Sequence, residues 1–106
     1  MIGVDIIKVS RVLDLHKDFP TKVLAEEELK DYESMNSFRR KCEFLASRWA
    51  CKEAFIKAYG DTSLDLKRIK TINDSKGKPH IYLDDVEYGE VSIAHDDYVV
   101  AMVSIK

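Results

Sequence analysis

An acid and a base stand one helical turn apart in the segment Phe44-Leu-Ala-Ser-Arg-Trp-Ala-Cys-Lys-Glu-Ala-Phe-Ile-Lys-Ala58. They are Glu53 and Lys57, with Trp49 one turn earlier on the same row. Ala46 and Ala50 flank them without bulk, so something can approach the helix closely. A second carboxylate, Asp5, interrupts the apolar run Gly3-Val4-Asp5-Ile6-Ile7. A carboxylate inside a strand is disfavoured by propensity and by desolvation, and a divalent cation offsets that cost. Two carboxylates from different elements, with positions left for water and phosphate oxygens, form a Mg²⁺ arrangement. His95 adds a polar group at the end of the run Val91–His95. A plain role stays open beside each chemical one. Glu53 and Lys57 would serve equally as a solvated ion pair worth a few tenths of a kcal/mol. His95 would serve as a turn histidine paired with Asp96 or Asp97. Arg48 and Lys52 form another pair at the same spacing.

The elements that must position these groups follow from the pattern. Ile2–Val9 is a β-branched run and predicts a strand. Ser10 is placed to cap a short helix over Arg11–Lys17, which Pro20 prevents from continuing. Leu24–Met35 is rich in helix formers, with acids in its first turn. Asn36-Ser37 is a break and a cap for the longest helix, Phe38–Tyr59, and Gly60 follows where a helix stops. At about 100° per residue, Phe44, Cys51, Phe55 and Ala58 cluster on one side, and Leu45, Trp49 and Ile56 form a second stripe. That helix is therefore expected to be covered on two sides. Leu66–Asn73 and Ile81–Leu83 flank the turn cluster Asp74-Ser75-Lys76-Gly77-Lys78-Pro79 as a hairpin. Asp84–Tyr88 is a connection, read as one helical turn. Val91–His95 and Tyr98–Ile105 flank Asp96-Asp97 as a second hairpin. The expected class is α+β, with helices packed on one face of a mostly antiparallel sheet.

The chain has 106 residues, which suits one domain over residues 1–106. Its formal charge of −2 gives no basic surplus, so bulk counterion-driven binding to DNA or RNA is not expected. No apolar run approaches the roughly 20 residues of a spanning helix. The opening Met1–Lys8 carries an acid and does not resemble a signal peptide, so a cytoplasmic location is expected. Cys42 and Cys51 lie nine steps apart on one helix, roughly 13 Å at about 1.5 Å per residue, too far for a disulfide. They read as reduced and buried. They lack zinc spacing, and His16, His80 and His95 are too scattered to supply it.

Three blocks carry a resemblance. They are Gly3-Val4-Asp5-Ile6 followed by Arg11; Glu43 to Ala58, with its aromatic after Arg48, then Lys52-Glu53-Ala54 and Lys57-Ala58; and Gly77-Lys78-Pro79 leading to Ser92-Ile93-Ala94-His95. In order and spacing the chain resembles the holo-[acyl-carrier-protein] synthases, the short group of 4′-phosphopantetheinyl transferases. The middle block is specific, and the outer two gain force in its company.

The resemblance implies transfer of the 4′-phosphopantetheine arm of coenzyme A to a serine of apo acyl carrier protein, releasing adenosine 3′,5′-bisphosphate. It implies that Asp5 and Glu53 hold Mg²⁺ against the diphosphate and that Lys57 contacts the same phosphates. Arg48 and His95 are then candidates for other phosphates of the nucleotide. Glu53, directly or through a water, is the candidate for the serine proton. Arg11 is the carried-over candidate for docking the acidic carrier, with Arg39, Arg40 and Lys41 as a second cluster. The resemblance also implies a homotrimer with sites between subunits and a place in fatty acid biosynthesis. Two positions depart from the pattern: Ala94 replaces a Ser or Thr before the histidine, and Gly60-Asp61-Thr62 replaces a Gly-Thr-Gly loop. Two other functions compete: a metal-dependent phosphohydrolase using His95-Asp96 with Asp5 and Glu53, and a non-catalytic α+β binding module whose Glu53–Lys57 pair is only structural.

Overall fold

Strand β1 (Ile2–Lys8) leads through a 3-10 helix (Val9–Asp14) into three helices: α1 (Phe19–Val23), α2 (Glu26–Ser34) and α3 (Phe38–Tyr59). A short 3-10 turn (Leu66–Arg68) then opens the strands β2 (Ile69–Asn73), β3 (Pro79–Leu83), β4 (Val86–Glu87), β5 (Glu90–His95) and β6 (Tyr98–Ser104). The computed structural model describes residues 1–15 and 17–106, so His16 lies outside the described residues.

Helix α3 is the axis of the molecule, and local chemistry sets both its ends. Ser37 caps it by accepting the Arg40 N–H at 3.3 Å. Gly60 closes it in the left-handed conformation at φ 87°, which a residue without Cβ adopts freely. Both expected stripes are covered, Phe44 and Trp49 only in part. Leu45, Ala46, Ala50, Cys51, Ala54, Phe55 and Ala58 are all buried, and burying a side chain such as Phe55 contributes about 1.5–3 kcal/mol.

The strands form two antiparallel three-stranded sheets, in the orders β1-β6-β5 and β2-β3-β4. The α+β arrangement is as expected. The split into two sheets is a finding of the fold, since strand pairing across the chain leaves no mark on local pattern. In the first sheet Gly3 pairs with Val103, Asp5 with Ala101 and Ile7 with Val99. Alternation turns Gly3, Ile7, Val99, Ala101 and Val103 inward against α3. The other set, Ile2, Val4, Ile6, Val100 and Met102, forms an exposed apolar face.

Four local expectations are corrected. The strand expected over Leu66–Asn73 begins at Ile69, because Leu66–Arg68 forms a 3-10 turn. Ser10 lies inside the 3-10 helix Val9–Asp14, whose N-cap is Lys8. Pro20 does not stop a helix; it sits in the first turn of α1, where its missing N–H has no partner to lose. The segment Asp84–Tyr88 contains no helical turn. Asp84 and Asp85 have φ 49° and 67° and form the two-residue hairpin turn between β3 and β4, with Arg68 bonded to both Asp84 carboxylate oxygens. Among the described residues, no helix is long and apolar enough to cross a membrane.

Candidate active site

Gly3 sets how close β1 comes to α3. A Cβ there would meet Ala54 O at 2.0 Å and Ala58 N at 2.7 Å, so only glycine permits the contact. Two residues on, Asp5 faces the same helix and accepts a hydrogen bond from the Lys57 Nζ at 3.1 Å. Lys57 also donates to Val4 O at 3.0 Å. One turn earlier, Glu53 Oε1 accepts the Trp49 indole N–H at 3.3 Å. The Arg11 guanidinium lies 5.0 Å from the Trp49 ring centroid, and Phe19 meets that ring edge to face at 4.9 Å. Two sets of contacts, Arg11–Trp49–Glu53 and Lys57–Asp5, thus lie one turn apart on one side of α3. Among the described residues, Glu53 has no ion pair with Lys57.

A second group lies around the helix. Arg48 is buried at 6% exposure, its guanidinium over Phe44 at 4.5 Å. Its Nη1 donates to Ser47 Oγ at 3.3 Å, while its Nε has no partner among the described residues. Two adjoining open clefts, about 810 and 480 Å³, share Ser47, Arg48, Asn73 and His95. Arg40 lines the larger, and Gly77, Lys78 and Pro79 line the smaller. His95 is exposed, and its Nδ1 lies 4.0 Å from Glu43 Oε2 rather than against Asp96 or Asp97. Among the described residues Arg48 makes no ion pair, although Asp31 and Glu43 line the same cleft, and a buried guanidinium so placed can receive an anion. At about 100° per residue, Glu53 and Lys57 project about 140° and 180° away from Arg48, so the two groups occupy different sides of α3.

The 4′-phosphopantetheinyl transferase superfamily model matches residues 1–103. The chain belongs to this superfamily. It is 35% identical to the holo-[acyl-carrier-protein] synthase of Staphylococcus carnosus, over 99% of this chain and 95% of that one. It is 39% identical to that of Bacillus velezensis, over 99% and 93%. In structure it is similar to the holo-(acyl-carrier-protein) synthase of Bacillus anthracis, crystallised in complex with CoA (3′,5′-ADP), at TM-score 0.87 and 32% identity over 98% and 93%. The Helicobacter pylori holo-[acyl-carrier-protein] synthase in complex with coenzyme A gives TM-score 0.83 at 25% identity, over the whole of both chains.

All three blocks that carried the resemblance to this superfamily reach the two groups. The opening block supplies Gly3, Asp5 and Arg11, the helix supplies both its faces, and Gly77-Lys78-Pro79 meets His95 at the smaller cleft. The expected cluster of Arg39, Arg40 and Lys41 does not form, because consecutive helical residues point about 100° apart. Arg39 lies 3.7 Å from Glu43, Lys41 lies 5.4 Å from the Tyr32 ring centroid, and Arg40 turns into the cleft with Arg48. In the Gly60-Asp61-Thr62 loop, Asp61 accepts the Ser63 N–H and hydroxyl at 2.9 and 2.6 Å.

Two features were missed in the sequence. Lys52 and Glu28 are wholly buried and paired at 2.6 Å. Lys52 also donates to Leu66 O and Ile69 O, and Glu28 accepts the N–H groups of Ala25 and Thr71 at 2.9 Å each. Desolvation pulls the Lys52 pKa down, and the Glu28 carboxylate opposes it. The sequence signal was available: a lysine between apolar stripes, and an acid at the third helical position of α2, where it reaches back to the N–H before the helix. The second is His80, held between Asp74 at 2.9 Å and Glu87 at 2.6 Å. Both cysteines are free and buried, and burial pushes the Cys51 thiol up to about 11.

Proposed function

We propose that the chain is a holo-[acyl-carrier-protein] synthase, transferring 4′-phosphopantetheine from coenzyme A to a serine of apo acyl carrier protein with Mg²⁺ and releasing adenosine 3′,5′-bisphosphate. The observation that carries this reading is the pair of contacts Asp5–Lys57 and Trp49–Glu53, one turn apart on α3, in a chain matched end to end by curated synthases. The donors suit Mg²⁺. Asp5 and Glu53 are hard carboxylate ligands, each with one oxygen free of hydrogen bonds among the described residues, and no third His, Cys, Asp or Glu joins them there. Mg²⁺ takes few protein ligands and fills the rest with water and substrate phosphate oxygens. When bound, it supplies charge neutralisation on the diphosphate and alignment of the leaving group.

The remaining work falls to the chain's own side chains. Lys57 is half exposed and swings from Asp5 to a phosphate oxygen as a point charge. Arg48, with its unpartnered Nε, and His95 bind phosphates of the nucleotide. Glu53 accepts the serine proton. Arg11 and the separate cations Arg39 and Arg40 attract and orient the acidic carrier.

Because Arg48 and Lys57 face opposite ways on α3, one chain does not present them to one ligand. A homotrimer unites them, with Asp5 and Glu53 of one subunit facing Arg48 and His95 of the next. The exposed apolar face of Ile2, Val4, Ile6, Val100 and Met102 is a surface for such assembly. The whole chain then acts as one catalytic domain. Its reduced cysteines suit the cytoplasm, where the carrier product serves fatty acid biosynthesis.

The test is to incubate the protein with apo carrier protein, coenzyme A and Mg²⁺, and to weigh the carrier. A mass gain equal to the phosphopantetheine arm, dependent on all three, is expected. An unmodified carrier overturns the reading and leaves the binding module.

A further inference from the structure

Trp49 joins elements that are distant in sequence. Its indole N–H donates to Glu53 Oε1, the Arg11 guanidinium of the first 3-10 helix lies over its ring, and Phe19 of α1 meets it edge to face. The ring is half-buried and held on three counts. An indole N–H donates and never accepts, so it fixes a carboxylate oxygen without competing as a metal ligand. Donation to Oε1 selects one rotamer of Glu53 and leaves Oε2 without a partner among the described residues. At 3.3 Å the bond is long, so its contribution is direction more than energy.

We propose that Trp49 is a positioning residue whose indole N–H holds Glu53 in the orientation that receives the divalent cation. The inference rests on the assignment of Asp5 and Glu53 as the cation's carboxylates. It goes beyond that assignment by giving the ring a role that packing alone does not need. Packing with Arg11 and Phe19 requires only an aromatic face, which phenylalanine also has. Orienting Glu53 requires the N–H, which phenylalanine lacks. Donors behind a metal-binding carboxylate act in this way, by reducing the freedom a ligand must lose when the cation arrives.

Trp49→Phe separates the two roles. Transfer to apo carrier protein is measured against Mg²⁺ concentration, and Mn²⁺ binding to the substrate-free protein is measured by the electron paramagnetic resonance of free Mn²⁺. The variant is expected to need about tenfold more Mg²⁺ for half-maximal rate and to bind Mn²⁺ about tenfold more weakly. Its KM for coenzyme A at saturating Mg²⁺ should stay within about twofold of the parent, since no coenzyme contact is removed. Equal Mn²⁺ binding by the two proteins overturns the inference while leaving the transferase reading intact. A parent protein that transfers nothing overturns that reading instead.

If Trp49→Phe does not fold, the parent carries its own probe, because Trp49 is the chain's one tryptophan. With coenzyme A present, adding Mg²⁺ should shift the single indole ¹H–¹⁵N resonance in the parent and leave it unmoved in Glu53→Ala. An indole signal indifferent to Mg²⁺ in the parent overturns the inference.

Discussion

The Lys57 ammonium donates to Asp5 Oδ1 at 3.1 Å across the contact between α3 and β1, not to Glu53 one turn away on its own helix. The ion pair that helical spacing suggests is therefore replaced by one between elements. Glu53 is left with the indole N–H of Trp49, and each of the two carboxylates keeps an oxygen free of hydrogen bonds among the described residues.

If those carboxylates hold the cation, neither substitutes for the other. Asp5→Ala and Glu53→Ala are each expected to lower the transfer rate by about 100-fold or more, the scale of a lost electrostatic stabiliser. Rate measurement at saturating substrates decides it, and near-parental activity in either variant removes the metal assignment.

Lys57 is expected to act on the ligand more than on the fold. Its side chain is half exposed, so breaking its pair with Asp5 should lower stability by no more than about 1 kcal/mol. Lys57→Ala should raise the KM for coenzyme A while the urea midpoint stays close to the parent's. Unchanged kinetics would take Lys57 out of the site.

Arg11 faces solvent over Trp49, where an acidic partner can reach it. Charge reversal in Arg11→Glu should raise the KM for carrier protein more than that for coenzyme A, with the difference shrinking at high salt. The opposite ordering of the two KM effects would refute a docking role.

The buried Lys52–Glu28 pair ties α3 to α2 and to the start of β2. Lys52→Met leaves Glu28 buried as an uncompensated charge and removes the Lys52 donor from Ile69 O, while Leu66 O keeps the Ile69 N–H. A loss of about 3–5 kcal/mol in urea unfolding is expected. Glu28→Gln combined with Lys52→Met should recover part of that loss, because no unpaired charge remains; no recovery would show that the contacts to backbone outweigh the pair.

His80 makes stability depend on pH. Its bonds to Asp74 first, and to Glu87, raise its pKa above the ordinary 6.5. A group whose pKa rises on folding stabilises fully below its unfolded value and loses that contribution as pH climbs through the folded value. The melting-temperature gap between the parent and His80→Gln should thus be widest below about pH 6 and close at alkaline pH. A gap constant across that range would assign His80 a packing role only.

Much of the site was legible because helical and strand periods act locally. The row Trp49–Glu53–Lys57, the acid inside β1, the Ser37 cap and the Gly60 stop all follow from spacing and residue type. The turn at Asp84-Asp85 was misread because aspartate tolerates a left-handed conformation without announcing it as glycine does. Pro20 was misread because proline both ends helices and begins them, and only the neighbouring backbone distinguishes the two.

By itself the sequence determined most of the elements, the burial of both stripes of α3 and the residue types available for chemistry, since these depend on neighbours within a few residues. Only the tertiary structure decided which charges meet. Lys52 finds Glu28 across 24 positions, Lys57 finds Asp5 across 52, and buried Arg48 keeps an unpartnered nitrogen. Those outcomes are set by which apolar faces pack together, because packing brings distant groups to hydrogen-bond range and removes the water that would otherwise satisfy each of them alone.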